Sequence, residues 1–165
     1  MPENIRVMIV DDHEVVREGL RALLNRRQGM SVVGEAGSVE TAIAEARRTR
    51  PDVIIMDVRL PDGSGVEACR EIREENPDAK VILLTSYADE EAVIASILAG
   101  AAGYLLKQTR GQALADAIAT VARGESLLDP AVTTKVMERV RTGSGREDDD
   151  LAQLLEDAHQ AVPRL

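Results

Sequence analysis

Four short apolar runs in this chain each end on a polar residue. Ile5-Arg6-Val7-Met8-Ile9-Val10 leads into Asp11 and Asp12, Val53-Ile54-Ile55-Met56 into Asp57, Val81-Ile82-Leu83-Leu84 into Thr85, and Tyr104-Leu105-Leu106 into Lys107. Runs of this length, rich in valine, isoleucine and leucine, read as strands of a parallel sheet buried on both faces. Laid side by side in one sheet, their C-terminal edge gathers three carboxylates, a hydroxyl and an ammonium into one crevice. Such a cluster suits a hard divalent cation and a phosphoryl group.

Between the runs, strand and helix patterns alternate. A helix over about 14–27 carries Val15, Val16, Leu20, Leu23 and Leu24 on one side, and a second strand spans about Met30–Ala36. The next helix opens at Ser38 as N-cap, carries Val39, Ala42, Ile43 and Ala46, and stops before Pro51. Leu60-Pro61-Asp62-Gly63-Ser64-Gly65 reads as a turn. From Ser64 or Gly65 a helix runs to about Glu75 and closes at Asn76-Pro77. A helix through Val93, Ile94, Ile97 and Leu98 ends at Gly100, and another over about 110–123 carries Leu114, Ile118 and Val121. Five strand–helix units with short connections imply an α/β, doubly wound, five-stranded parallel sheet with helices on both faces, and ligands gathering beyond the carboxyl ends of the strands. The pattern alone leaves the order of the strands open.

Beyond the fifth unit, Asp129-Pro130 opens a helix to about Arg141 with Val132, Val136 and Val140 as a narrow stripe. Gly143-Ser144-Gly145 reads as a flexible joint, and Arg146-Glu147-Asp148-Asp149-Asp150 as a solvated charge run. A last amphipathic segment carries Leu151, Leu154, Leu155, Ala158 and Val162. The expected organisation is a domain over 1–125, a linker helix over 126–142 and an acidic joint with a short tail helix over 143–165.

The formal net charge is -9, from 29 acids and 20 bases. A field of that sign repels nucleic-acid phosphates, and without Phe or Trp there is no aromatic platform for bases, so no direct nucleic-acid binding by this chain is expected. No apolar stretch approaches the roughly 20 residues of a membrane span, and the start lacks a signal-peptide pattern, so the expected setting is cytoplasmic. The single cysteine, Cys69, lies on the apolar side of its helix and is expected in the core.

Each polar residue has an ordinary alternative. Asp11-Asp12 can cap the helix that follows, Asp57 can sit in a turn, and Lys107 can be a solvated lysine. Their joint placement at strand ends on one edge favours a site. There, Mg²⁺ takes one or two carboxylates plus phosphate oxygens, and a remaining aspartate can act as nucleophile and form an aspartyl-phosphate. Lysine and threonine supply the charge and hydroxyl for phosphoryl oxygens. His13, at the start of the following helix, reads as a surface residue. A dehalogenase-type phosphatase needs a second aspartate two positions after the first, and position 59 holds arginine. A cobalamin-binding module needs glycine where Val16 stands. No Gly-rich phosphate loop is present.

Three stretches carry a family resemblance: Val10-Asp11-Asp12-His13-Glu14-Val15-Val16-Arg17, Val58-Arg59-Leu60-Pro61-Asp62-Gly63-Ser64-Gly65, and Leu98-Ala99-Gly100-Ala101-Ala102-Gly103-Tyr104-Leu105-Leu106-Lys107. Through them residues 1 to about 125 resemble a CheY-like response-regulator receiver domain of the NarL/LuxR branch of two-component signalling. The resemblance implies the flavodoxin-like strand order 2-1-3-4-5. It implies Asp57 as phosphoacceptor for a sensor histidine kinase, and Mg²⁺ held by Asp11, Asp12, Asp57 and the backbone carbonyl of Arg59. Thr85 and Lys107 would contact the phosphoryl group, with Thr85 and Tyr104 as the switch pair, and Arg59 and Tyr87 would flank the site. The only enzymatic behaviour expected is self-phosphotransfer and autodephosphorylation. A homodimer or an output protein would use the face built from the helix before Gly100, the strand 103–106 and the helix 110–123.

Two departures stand out. Gln108 follows the lysine where many receivers have proline, and only 24 residues follow Arg141, too few for the helix-turn-helix domain of that branch. The reading is therefore a receiver without its C-terminal DNA-binding domain, its output being protein contact within transcriptional control in the family's manner. The alternatives are a constitutive protein-interaction module, or the remnant of a DNA-binding regulator.

Overall fold

A computed structural model describes residues 4–85, 99–107, 111–125 and 127. Five parallel strands make the central sheet: β1 (Ile5–Val10), β2 (Met30–Ala36), β3 (Val53–Asp57), β6 (Lys80–Thr85) and β7 (Gly103–Leu106). Between β3 and β6 a two-residue antiparallel ladder pairs β4 (Arg59–Leu60) with β5 (Gly63–Ser64). The sheet order is β2-β1-β3-β6-β7, which is the order that the family resemblance implied, counted over the five long strands.

Alternation along the strands makes the two layers. Met8, Val10, Ile54, Met56, Val81 and Leu83 face α2 (Val39–Thr49) and α3 (Gly65–Glu75), where Ala42, Ala46, Cys69 and Ile72 complete a buried cluster. Val7, Ile9, Val53, Ile55, Ile82 and Leu84 face the other way, onto α1 (Glu14–Asn25) and α4 (Gln112–Ala122), through Leu24, Leu114, Ile118 and Val121. Both faces are thus covered, which is why β3 and β6 read as unbroken apolar runs instead of alternating ones. Each fully buried Ile, Leu or Met contributes roughly 1.5–3 kcal/mol of transfer free energy.

Local chemistry sets the helix ends. Ser38 accepts a hydrogen bond from the Thr41 N–H, and the Thr41 hydroxyl accepts from the Ser38 N–H, a reciprocal capping box opening α2. Arg50 closes that helix in the left-handed region at φ 45°, directly before Pro51. Ser64 caps α3 by accepting from the Val66 N–H, so Gly65 is the first helical residue.

The structure corrects one detail of the amphipathic reading. Val15 is 79% exposed and Val16 42%, although both were assigned to the apolar side of α1. At 100° per residue Val15 lies far off the stripe formed by Leu20, Leu23 and Leu24. Val16 is on that stripe but in the first turn, nearest the loop that leaves the sheet edge. α1 also ends at Asn25 and α4 begins at Gln112, two residues inside the expected limits at each of those ends. The helix through Val93–Leu98, Tyr87, Gln108, the linker helix and the tail segment lie outside the described residues. No helix among the described residues is long and apolar enough to cross a membrane.

Candidate functional site

Parallel register brings the strand ends together. Asp57 closes β3 opposite Leu84 of β6, and Thr85 closes β6 opposite Leu106 of β7. Lys107 follows, its N–H donating to the Thr85 carbonyl at 2.9 Å. On the other side of β3, β1 ends at Val10 opposite Met56, so Asp11 emerges beside Asp57. The Asp11 N–H donates to the Ala36 carbonyl at 3.0 Å, pinning the loop to β2.

The Asp57 carboxylate is 1% exposed, and both of its oxygens accept hydrogen bonds from described residues. One oxygen accepts from the Lys107 ammonium at 3.0 Å and the other from the Arg59 N–H at 3.1 Å. Burial pushes its carboxyl above the usual carboxylate range, while the bonds from Lys107 and Arg59 pull it back and the nearby Asp11 charge adds to the rise. A buried, partly desolvated carboxylate facing a lysine is more strongly held by cations than one in water.

Asp11 is buried and Asp12 half-exposed at the carboxylate. Their ligand atoms and a ring nitrogen of His13 lie within 4.8 Å of one another. The His13 Nδ1 lies 3.0 Å from an oxygen of each aspartate, and the His13 N–H donates to Asp11 at 2.8 Å. These contacts hold the imidazole's proton affinity above its ordinary value, first through the Asp11 hydrogen bond and then through the Asp12 charge. Arg17 donates to the Asp11 carbonyl at 2.6 Å and also meets Glu35, bracing the loop from α1. The carboxylate oxygens of Asp11 and Asp12, beside a third carboxylate at Asp57, form a hard-donor set that fits Mg²⁺.

Thr85 and Tyr104 are both buried. Leu84 and Leu105 pack into the α1/α4 layer, so strand alternation sets Thr85 and Tyr104 together on the opposite face. Thus Asp11, Asp12, Asp57, Arg59, Thr85 and Lys107 share the C-terminal edge, with Tyr104 a little below it, in register with Leu83.

Three contributions were not foreseen. His13 is exposed at the start of α1, as the sequence reading has it, but its ring also lies 3.0 Å from an oxygen of each aspartate, and adjacency in the chain could not reveal which way the ring turns. Gly65 approaches the site's backbone so closely that a Cβ there would lie 2.2 Å from the Asp57 carbonyl oxygen. Asp62, read as a turn residue, accepts hydrogen bonds from the Val39 and Glu40 N–H groups at 2.7 and 3.1 Å, which ties the β4–β5 loop to the start of α2. The only sequence signal for Gly65 was a glycine placed after a helix cap that needed no turn. An apolar groove between α1 and α4, lined by Val16, Leu20, Leu23, Leu84 and Leu114, opens beside Asp11 and Lys107.

A doubly wound sheet with this strand order, an acidic C-terminal edge and a lysine bonded to its central carboxylate defines a receiver-type fold. The chain belongs to the response regulator receiver domain family, whose profile matches residues 7–119. It is 46% identical over 144 residues to the DNA-binding transcriptional activator DevR/DosR of Mycobacterium tuberculosis, a match covering 87% of this chain and 66% of that one. The structure is similar to a LuxR-family two-component response regulator from Aurantimonas sp. SI85-9A1, with a TM-score of 0.72 and 35% identity over 83% of this chain and 98% of that one. It is also similar to the signal receiver domain of NarL from Mycobacterium tuberculosis, at TM-score 0.71 and 31% identity, covering 75% of this chain and all of that domain. These relatives are response regulators of the NarL/LuxR type, not conventional enzymes. The chain spans about two thirds of the length of the curated activator it matches.

Proposed function

We propose that this chain is a phosphorylation-controlled switch, with Asp57 as the phosphoacceptor and a sensor histidine kinase as donor. The observation that carries this reading is the Lys107 ammonium, 3.0 Å from a carboxylate that is almost fully buried at the sheet edge. Transfer breaks the N–P bond of a phosphohistidine and forms an O–P bond at Asp57, and the departing imidazole keeps the lone pair. Asp11, Asp12, Asp57 and the Arg59 carbonyl are the residues that would hold Mg²⁺, which when bound supplies positive charge against the phosphoryl oxygens. Lys107 neutralises a further oxygen, and the Thr85 hydroxyl donates to another.

The shared face of Thr85 and Tyr104 supports a coupled switch. As Thr85 is drawn toward the new phosphoryl group, space opens for the Tyr104 ring, and the charge added at Asp57 becomes a packing change on the β7–α4 side. That side is the surface offered to a second copy or an output protein. In this reading residues 1–125 form the receiver, 126–142 a linker helix and 143–165 an acidic tail, and output runs through protein contact in transcriptional control, within the cytoplasm and without direct nucleic-acid contact by this chain.

Incubation with a small phosphodonor such as phosphoramidate and Mg²⁺, followed by intact-mass spectrometry, tests the proposal. One phosphoryl adduct is expected, absent in Asp57→Asn and in excess chelator. An unmodified wild-type protein, or an adduct that survives in Asp57→Asn, would overturn it and leave the constitutive interaction module as the better reading.

A further inference from the structure

The β4–β5 hairpin carries Arg59 to the sheet edge, yet its ladder is only two residue pairs long, Arg59 with Ser64 and Leu60 with Gly63. A ribbon that short is marginal in water, so the place of the Arg59 backbone depends on what the hairpin is tied to. Its base is tied by the Gly65 N–H, which donates to the Val58 carbonyl at 2.7 Å, and its middle by the buried Leu60. Its tip is tied to another element altogether. The two Asp62 carboxylate oxygens accept one bond each, from the Val39 N–H at 2.7 Å and the Glu40 N–H at 3.1 Å, 23 and 22 residues away. These are the first two donors of α2, and the Ser38 hydroxyl takes the third, at Thr41. A local cap and a distant carboxylate thus divide the opening donors of the helix, with the negative charge at the favoured end of its dipole. α2 is a firm post, since Ala42 and Ala46 are packed in the core.

We infer that Asp62 is a positioning residue: by holding the hairpin tip against the first turn of α2 it fixes the Arg59 backbone, and so the carbonyl that would serve Mg²⁺. The same residue donates its N–H to the Asp57 carboxylate at 3.1 Å, so a shift of the tip reaches the phosphoacceptor through Arg59. The inference deepens the reading of the edge as a Mg²⁺-dependent phosphoryl site and rests on it. Two ions separate position from charge. Mg²⁺ demands near-octahedral geometry, whereas Ca²⁺ accepts irregular sets of oxygens. Loss of a distant negative charge weakens both alike, whereas a loosely placed carbonyl weakens Mg²⁺ more. Fraying of α2's start is a third effect, and Ser38→Ala produces it without removing the Asp62 bonds.

Calorimetric titration of the full chain with Mg²⁺ and with Ca²⁺ is compared for the wild type, Asp62→Ala, Asp62→Asn and Ser38→Ala, alongside amide hydrogen exchange of each metal-free protein followed by NMR. Asp62→Ala is expected to weaken Mg²⁺ by about fivefold or more and Ca²⁺ by no more than about twofold. Asp62→Asn, which keeps one acceptor oxygen, should recover part of the loss. In metal-free Asp62→Ala the Arg59 amide should exchange faster, together with those of Val39 and Glu40, while the Gly65 amide at the hairpin base keeps its protection. Ser38→Ala should leave Mg²⁺ binding and the Arg59 amide at wild-type values. Unchanged Mg²⁺ affinity or an unmoved Arg59 amide in Asp62→Ala would overturn the inference and leave the site reading standing. So would equal weakening of the two ions, or a Ser38→Ala that weakens Mg²⁺ as much as Asp62→Ala does. A wild type that takes up no Mg²⁺ at millimolar concentration would remove the site reading itself, and the role of Asp62 with it.

Discussion

Lys107 reaches Asp57 across an intervening strand. Its Nζ lies 3.0 Å from the Asp57 carboxylate, although β6 separates β3 from β7 and 50 residues separate the pair in the chain. Two strand spacings span roughly 9–10 Å, which a lysine side chain bridges only when its backbone stands above the end of the middle strand. The Lys107 N–H bond to the Thr85 carbonyl holds it there.

That pairing sets a pH signature. The Asp57 carboxyl is raised by burial, so its contribution to stability is fully present below the ordinary carboxylate value near 3.8 and is lost as pH rises through the higher folded value. Lys107 limits this loss. Lys107→Met should therefore destabilise the metal-free protein by about 1 kcal/mol at neutral pH, a figure discounted for the partial exposure of the lysine, with little effect near pH 3. Asp57→Asn, which removes the buried charge, should raise the neutral-pH midpoint instead. Urea melts at both pH values check the two signs.

Gly65→Ala should be the most damaging single methyl in the site. The added Cβ would meet the Asp57 carbonyl oxygen at 2.2 Å and Met56 Cγ at 3.1 Å, and backbone on that side cannot rotate away. A loss of roughly 2–4 kcal/mol is expected in denaturant melts, together with a lower yield of phosphorylated protein.

Asp62 couples the β4–β5 loop to α2 by its bonds to the Val39 and Glu40 N–H groups, and these hold its carboxyl below the usual range. A lowered carboxyl contributes stability above its ordinary value and loses it as pH falls through the folded value. Asp62→Ala should lower the thermal midpoint at pH 7 and leave it nearly unchanged near pH 2, while Asp62→Asn keeps most of the cap.

The two ends of α1 should respond differently to truncation. Leu24 is fully buried, and Leu24→Ala should cost about 2–5 kcal/mol. Val15→Ala, at an exposed position, should stay within about 0.5 kcal/mol. Chemical denaturation of the two variants makes the comparison.

Cys69 is buried against the Ala99 carbonyl, and burial pushes its thiol up to about 11. At pH 8 almost none of it is thiolate, so a disulfide reagent should label it only after denaturant is added. Rapid labelling of the native protein would show that the α3 layer opens locally.

The strand ends Asp11, Asp57, Thr85 and Lys107 were legible in the chain because a strand buried on both faces leaves an unbroken apolar run, and its first polar residue marks where the sheet meets water. The cap at Ser38 was legible because it acts within three residues, whereas the start of α3 was placed only at Ser64 or Gly65. The strand order, by contrast, came only through a family resemblance, since apolar periodicity says that a strand is buried but not beside which neighbour. The turn of His13 over two carboxylates, the loop-to-helix bond of Asp62 and the close approach of Gly65 to Asp57 depend on orientation and on contacts between distant segments. The reading likewise placed Val15 and Val16 on the apolar side of α1, although at 100° per residue Val15 lies far off that stripe and only Val16, in the first turn, lies on it. Local periodicity, then, determined the elements and the polar edge they share. Only three-dimensional packing decided which side chains meet there, because hydrogen-bond direction and steric clearance are properties of the assembled edge and leave no period in the chain.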